Sequence, residues 1–342
     1  MRVLIDTTYS RRAPFSGTAV YVRKLCERLR RRDDIELIEV FNRRRRLPAG
    51  GGIGSVRNLV VDRWWAGVEL PRLARRAGAD VVHHPLPAHA RWAPVPQVVT
   101  VTDLAFERLP DHFDRRFRIY AHRSYRAGAL ASAAVICISE TTAADVRELW
   151  RVPSERIVVA ALGPGQELAG NGVEREHFLY VGDGEPRKNV GTLLAAYELY
   201  RKSTESPLSL VLAGSVTATL PGIIVAHRPT PEQLAELYRG AVALIHPSLY
   251  EGFGLTALEA MVSGTPVIAA DAPGIKEICG GAVRYADPRD PAAFAAAMGE
   301  LAQDHALRRD LAARGRRRAA EFSWDRCARA HVDAYSLATE RE

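Results

Sequence analysis

The sequence predicts an α/β protein built from two doubly wound domains. Three observations carry this. The chain has 342 residues, and chains of that size divide into domains rather than grow one core. Short, continuously apolar, β-branched runs alternate with helical stretches from end to end, as parallel strands buried on both faces do. Between 163 and 172 stands GPGQELAGNG, a glycine-rich polar break with the composition of a linker.

Taken in order, strands are expected at 3–6, 35–41, 81–83, 97–101 and 135–138, each a run of Val, Ile, Leu or Thr. A second series follows at 157–159, 178–181, 209–213, 223–226, 243–246 and 266–270. Helices fit 17–31, 115–133, 141–149, 190–202, 230–238 and 256–262. The domains then run over 1–165 and 173–322, and 323–342 forms a terminal helix. Doubly wound domains bind ligands at the carboxyl ends of their strands, so a site is expected in a cleft between the two. The GGGIG run at 50–54 follows no strand, so it reads as a loop and not as a dinucleotide fingerprint.

Composition excludes several classes. Hydrophobic content of 47% and charge of 25% are those of a globular protein. No run of eighteen apolar residues occurs, and Met1 leads straight into a strand without signal-peptide architecture, so a cytoplasmic location is expected. Cys26, Cys137, Cys279 and Cys327 are far apart and form no CxxC, which argues against zinc and against a disulfide framework. Net charge is +7, and the basic residues are nearly all arginine, with runs at 30–32, 43–46 and 316–318. Aromatic residues do not interleave with these runs as a nucleic-acid platform needs, so no nucleic-acid partner is expected. The arginine-rich first half suggests instead an acidic or lipid-linked acceptor and peripheral contact with an anionic membrane surface, at the inner face of the plasma membrane.

The stretch 246–271 reads HPSLYEGFGLTALEAMVSGTPVIAAD and carries most of the chemistry. It parses as strand, glycine turn, helix, turn, strand. A glycine turn opening a helix leaves the N–H groups of Phe253, Gly254 and Leu255 unpaired, and the helix dipole adds to their pull on a phosphate. Gly252 sits in the same turn. Glu251 falls beside that anion, and Glu259 two helical turns on. Two carboxylates at this spacing accept hydroxyls of a sugar and a ribose.

A second cluster, YVGDGEPRKNV at 180–190, follows a strand and opens a helix. Arg187 and Lys188 are adjacent cations where the helix dipole disfavours them, unless an anion sits between. A diphosphate would serve, gripped by arginine in bidentate fashion and by lysine as a point charge. Only four lysines occur in the chain, which makes one placed here informative. Asp183 and Glu185 are too few for a metal site, and no metal is expected. Near the N-terminus, Ser16-Gly17-Thr18 enters a helix after the first strand, and Gly17 permits close backbone approach to a ligand. At strand ends of the first half stand His83, His84, Thr102, Asp103 and Ser139, where a doubly wound domain puts its site.

The segment from Glu251 to Asp271 resembles the Glu-x7-Glu signature of retaining glycosyltransferases of family 4, the group 1 glycosyltransferases with the GT-B fold. The 181–189 stretch is similar to that family's VG-x-x-x-PRKN segment. The 101–106 stretch, VTDLAF, resembles its VHDLAF with Thr102 in place of the histidine. The resemblance covers nearly the whole chain. It implies two facing Rossmann-like domains and transfer of a hexose from a nucleotide-diphosphate sugar to an acceptor hydroxyl with retained configuration. It implies no cofactor: the nucleotide sugar is the substrate. It assigns Arg187 and Lys188 to the donor diphosphate, Glu259 to the ribose and Glu251 to the transferred sugar. Gly17 would face the donor phosphate, and His227 and Arg228 would lie at the base-binding edge. His83, His84, Thr102, Asp103 and Ser139 fall on the acceptor side, with Asp103 also a candidate catalytic group. It also implies that the terminal helix, from Phe322-Ser323-Trp324 onward, crosses back to the first domain. Two other readings stay open: a catalytically silent module that binds nucleotide sugar, kept alive by Thr102, and a sugar-nucleotide epimerase on the same fold.

Overall fold

The computed structural model describes residues 1–13, 16–46, 53–87, 92–165 and 175–340. The chain forms two compact units, 1–163 with 323–342 and 164–322. The expected linker lies largely outside the described residues, as does most of the GGGIG run.

The first unit contains β1 (Arg2–Asp6), β2 (Glu36–Val40), β3 (Val81–His84), β4 (Gln97–Val101), β5 (Ala134–Cys137) and β6 (Ile157–Val159). They form one parallel sheet in the order β2-β1-β3-β4-β5-β6. The 157–159 run, which reads with the second series in the sequence, is thus the edge of the first sheet. Its helices are α1 (Thr8–Arg12), α2 (Gly17–Leu29), α3 (Ile53–Trp64), α4 (Leu70–Ala77), α5 (Ala105–Arg108), α6 (Arg115–Ala131) and α7 (Glu140–Asp145). A π-turn at Trp65–Glu69 joins α3 to α4.

The second unit contains β7 (His177–Gly182), β8 (Ser209–Gly214), β9 (Ile223–His227), β10 (Ala241–His246), β11 (Val267–Ala270) and β12 (Arg284–Ala286). Its sheet is parallel in the order β12-β11-β10-β7-β8-β9. Its helices are α8 (Val190–Lys202), α9 (Pro231–Gly240), α10 (Leu255–Ser263), α11 (Pro273–Cys279), α12 (Pro291–Gln303) and α13 (His305–Ala319). The last helix, α14 (Trp324–Thr339), belongs to the first unit.

Local chemistry explains the element ends. Ser16 caps α2 by accepting from the Ala19 N–H at 3.2 Å, and Tyr21, Val22, Leu25 and Leu29 line its buried stripe at helical spacing. Thr230 and Gln233 form a reciprocal capping box at α9, with Pro231 at the first position. In the second unit Phe178, Leu193, Leu212, Phe294 and Met298 form a core beneath α8 and α12. Burying each such side chain stabilises the fold by about 2–3 kcal/mol.

In doubly wound sheets ligands bind where strand order reverses. In the second sheet β8 and β9 succeed β7 on one side while β10 pairs on the other. The reversal therefore falls between β7 and β10.

Candidate functional site

The two motif loops leave the carboxyl ends of β7 and β10, the strands that flank this reversal. They are fastened to each other. The Leu249 N–H donates to the Arg187 carbonyl at 2.9 Å. Asn189 Nδ2 donates to the carbonyls of Pro247 at 3.1 Å and Pro288 at 2.7 Å. Asn189 is left-handed, with φ +57°, a conformation asparagine tolerates better than most residues. It ends a single 3-10 turn, Pro186–Lys188, before α8 begins.

This places Arg187 and Lys188 in the turn ahead of the helix, with their side chains on Glu251. Lys188 Nζ donates to Glu251 Oε1 at 2.5 Å, and an Arg187 terminal nitrogen to Oε2 at 3.4 Å. Arg187 Nε also donates to Glu185 at 2.8 Å. The anion that the adjacent cations demand is therefore supplied first by the protein itself. Glu251 is buried. Burial alone would raise its pKa, but the charges of Lys188 and Arg187 outweigh this and hold it well below the ordinary carboxylate value. Lysine has three donors, and the one bond of Lys188 to Glu251 leaves it capacity for a second anion.

His246, the last residue of β10, lies 3.8 Å from Glu251 Oε1. Burial lowers its pKa to about 4, so near neutrality the ring is uncharged and this is not an ion pair. Its Nδ1 is buried and has no hydrogen-bond partner among the described residues.

Glu259 sits in a contrasting environment. It is 7% exposed, and among the described residues no cation lies beside it. Its one partner among them is the hydroxyl of Tyr238, which donates to Oε2 at 2.8 Å. Burial raises its pKa to about 7, against the opposing hydrogen bond from Tyr238.

The helix carrying Glu259 opens as its sequence requires. Gly254 is the N-cap at φ +97°, and a Cβ there would come within 2.6 Å of Ile275 Cδ1. With glycine at the cap, no side chain satisfies the first turn. The N–H groups of Phe253, Gly254 and Leu255 are engaged by no other group among the described residues, which leaves them as donors beside Glu251. Gly252 completes the turn. Gly274 of α11 abuts it so closely that a Cβ would collide with the Glu251 carbonyl oxygen. His227 and Arg228 lie exposed at the end of edge strand β9, three strands from β10 and so roughly 14 Å away at sheet spacing.

The residues expected on the acceptor side are placed less uniformly. His83 corrects the expectation. It is fully buried, with Nε2 on the Thr100 hydroxyl at 2.8 Å and Nδ1 on the Tyr335 hydroxyl at 2.9 Å. Tyr21 joins the same network through Thr100 at 2.8 Å and His331 at 2.7 Å. Both His83 nitrogens are used in pinning α14 to α2, β3 and β4, so the ring has nothing left to offer an acceptor. His84 is buried against Gln97 at 2.9 Å. Ser139 is fully buried and caps α7 through the Thr142 N–H at 3.0 Å. Asp103 Oδ1 accepts from the Ala105 N–H at 3.0 Å, which holds the start of α5. The Thr102 carbonyl accepts from Thr142. Gly17 is the first residue of capped α2.

Sequence reasoning missed Asn189, Tyr238, His246 and Gly274. Only the glycine carried a local signal, the Pro273-Gly274 pair at a helix start. Asn189 and Tyr238 act through partners 21 to 99 positions away, and His246, five positions from Glu251, reads simply as the last residue of a buried strand. Among the described residues no group of three His, Cys, Asp or Glu side chains is arranged to hold a metal. All four cysteines are buried and free. The arginine runs are partly neutralised by Arg30–Glu39, Arg32–Asp34, Arg44–Glu69, Arg45–Asp62 and Arg318–Glu321 pairs.

Two Rossmann-like units with parallel sheets, the second with an Arg-Lys-Glu cluster at its reversal, have the architecture of the GT-B class. Comparison with known proteins agrees. The family description "Glycosyltransferase Family 4" matches residues 15–163, and "Glycosyl transferases group 1" matches 169–318. An O-antigen chain mannosyltransferase B of Escherichia coli is 30% identical over 270 residues, 70% of each chain. A MMP alpha-(1->4)-mannosyltransferase of Mycolicibacterium hassiacum is 31% identical over 224 residues, 60% of this chain and 54% of that protein. Among solved structures, sucrose-phosphate synthase from Thermosynechococcus elongatus superposes with a TM-score of 0.78 over 100% of both chains at 18% identity. Anabaena HepE, crystallised with UDP and glucose, gives 0.73 over 98% of this chain and 99% of that one at 16% identity. The chain belongs to glycosyltransferase family 4. It is a glycosyltransferase that moves a sugar from a nucleotide sugar to an acceptor.

Proposed function

We propose that the enzyme is a retaining, metal-independent hexosyltransferase, with a nucleoside-diphosphate hexose as donor and a hydroxyl of a lipid-linked or polysaccharide glycan as acceptor. The observation that carries the reading is the Lys188–Glu251–Arg187 cluster at the β7–β10 reversal, beside the open amides of α10. The two cations and the Phe253–Leu255 amides neutralise charge growing on the leaving diphosphate, the role a metal fills elsewhere. Glu251, kept ionised, accepts hydroxyls of the transferred sugar. Glu259 accepts those of the ribose, and His227 and Arg228 lie toward the base. The donor phosphate oxygen takes the acceptor proton on the face the leaving group vacates, so the mechanism requires no side-chain base. Gly17 stays a candidate for the donor phosphate and Thr102 and Asp103 candidates for the acceptor, and His83 drops out. The names of the O-antigen mannosyltransferases among the relatives support mannose as the sugar.

The membrane-proximal part of the reading gains support from α6. It carries five arginines and no acidic residue, and it exposes Phe117 and Ile119. In the same unit α3 exposes Val60 and Trp64. Arginine with aromatic and aliphatic tips suits an anionic interface. Cosedimentation with phosphatidylglycerol vesicles at low salt tests this, and absence of binding removes it.

The stereochemical claim is tested by NMR of the first-formed product, through the one-bond carbon–proton coupling at the anomeric carbon, which separates the two anomers even of a mannoside. The donor's anomeric configuration is expected in the product, with turnover unchanged by EDTA. An inverted product overturns retention, and loss of turnover in EDTA overturns metal independence.

A further inference from the structure

Glu251 and Glu259 are both buried, yet among the described residues only Glu251 has countercharges. A carboxylate buried without a cation is costly unless it is hydrogen-bonded or protonated. The group that meets Glu259 is Tyr238, itself fully buried at the last turn of α9. Tyr238 is fixed from behind: its carbonyl accepts from the Thr265 hydroxyl at 2.5 Å, and Thr265 is bonded to Ser263 at 2.8 Å. Glu259 Oε1 is engaged by no donor among the described residues.

We propose that Tyr238 is a positioning residue for the nucleotide. Its hydroxyl occupies Oε2 and steadies the carboxylate, so that Oε1 serves a vicinal diol, and donor binding is gated by the ionisation of Glu259. The inference rests on the assignment of Glu259 to the ribose.

A protonated Glu259 has a donor hydrogen where a diol needs an acceptor. Binding is therefore strong when Glu259 is ionised and weakens as pH falls. With its pKa raised by burial to about 7, the transition falls near neutrality. Tyr238 stays protonated throughout, because burial and the neighbouring carboxylate push its own pKa well above 10. Of the titratable groups on elements packed against α10, such as Arg239 on α9, His246 on β10, Lys276 on α11 and the arginines of α13, none but Tyr238 shifts Glu259. Removing the hydroxyl removes a bond to the charged form, so the Glu259 pKa rises further.

The test is titration calorimetry of the full chain with adenosine, guanosine, uridine and cytidine diphosphates, taking the tightest, from pH 5.5 to 9.5. Wild type should weaken up to tenfold per pH unit below about 7. Tyr238→Phe should move this limb up by about one to two pH units. At pH 7 it then binds about five- to fiftyfold more weakly, and the deficit closes above pH 9. Glu259→Gln should bind weakly and lose the limb, leaving only the titration of the phosphate itself. Thermal unfolding of each variant reports its fold separately. A Tyr238→Phe profile superimposed on wild type, or a deficit equal at every pH, overturns the inference while leaving the donor site standing. Failure of wild type to bind any nucleotide at any pH overturns both.

Discussion

Glu259→Gln should make the free enzyme more stable, and more so at alkaline than at acid pH. The change is nearly isosteric and keeps an acceptor for Tyr238. The folded protein holds the Glu259 pKa at about 7 against a reference of 4.5. Between these values the native state binds more protons than the unfolded one. The stability of the protonated form is fully present below pH 4.5, and it is lost as pH rises through 7. A shift of this size, at about 1.4 kcal/mol per pH unit, makes the charge cost about 1 kcal/mol at pH 5 and about 3 kcal/mol at pH 8. The burial of the residue justifies using the shift without a discount for solvent screening. Urea unfolding followed by far-ultraviolet circular dichroism, at pH 5 and pH 8, measures the difference. All five tryptophans fall within the first unit, so indole fluorescence serves as an internal control. A gain at pH 8 that shrinks by about 2 kcal/mol at pH 5 is expected. Equal stability of the two proteins at both pH values would refute the picture of a buried, uncompensated carboxylate.

Other consequences follow from the same contacts. Lys188→Ala should lower kcat by about 10²–10³-fold, as loss of an oxyanion donor does, and near-wild-type turnover in steady-state assays would remove it from the diphosphate. Gly274→Ala should lower the unfolding free energy by about 1–3 kcal/mol and weaken nucleotide binding, since the new methyl displaces the backbone of Glu251; an unshifted calorimetric Tm would contradict this. Asn189→Ala should destabilise by about 2–3 kcal/mol through two lost carbonyl bonds and left-handed strain. Asn189→Gly should recover about 1 kcal/mol of that, because glycine bears the φ without cost; denaturant midpoints of the pair decide it.

Much of this site was legible in the chain because its chemistry is local. The Gly252-Phe253-Gly254 turn, the helix after it and the two glutamates lie within one strand-turn-helix, where spacing fixes geometry. The alternation of apolar runs with helices likewise announced two doubly wound sheets. What could not be read was which strands lie side by side. Arg187 and Lys188 meet Glu251 only because β7 pairs with β10, and reading the cations alone left their counter-ion unassigned. His83 shows the opposite failure. A histidine ending an apolar strand looks like a site residue, and only Tyr335, 252 positions on, makes it a core residue. Tyr238 was hidden because a tyrosine on the buried face of an amphipathic helix reads as packing. The helices between 273 and 319, and β12, were missed altogether: their alanine-rich and arginine-rich stretches carry little hydrophobic contrast.

The most direct measurement is a thermal-shift titration of the purified protein with nucleoside diphosphates and their sugars, with and without EDTA, at pH 8. Stabilisation by one base, unchanged by EDTA and abolished in Glu259→Ala, is the expected result. Absence of any shift, or a shift that survives in Glu259→Ala, contradicts the placing of the donor at the β7–β10 reversal.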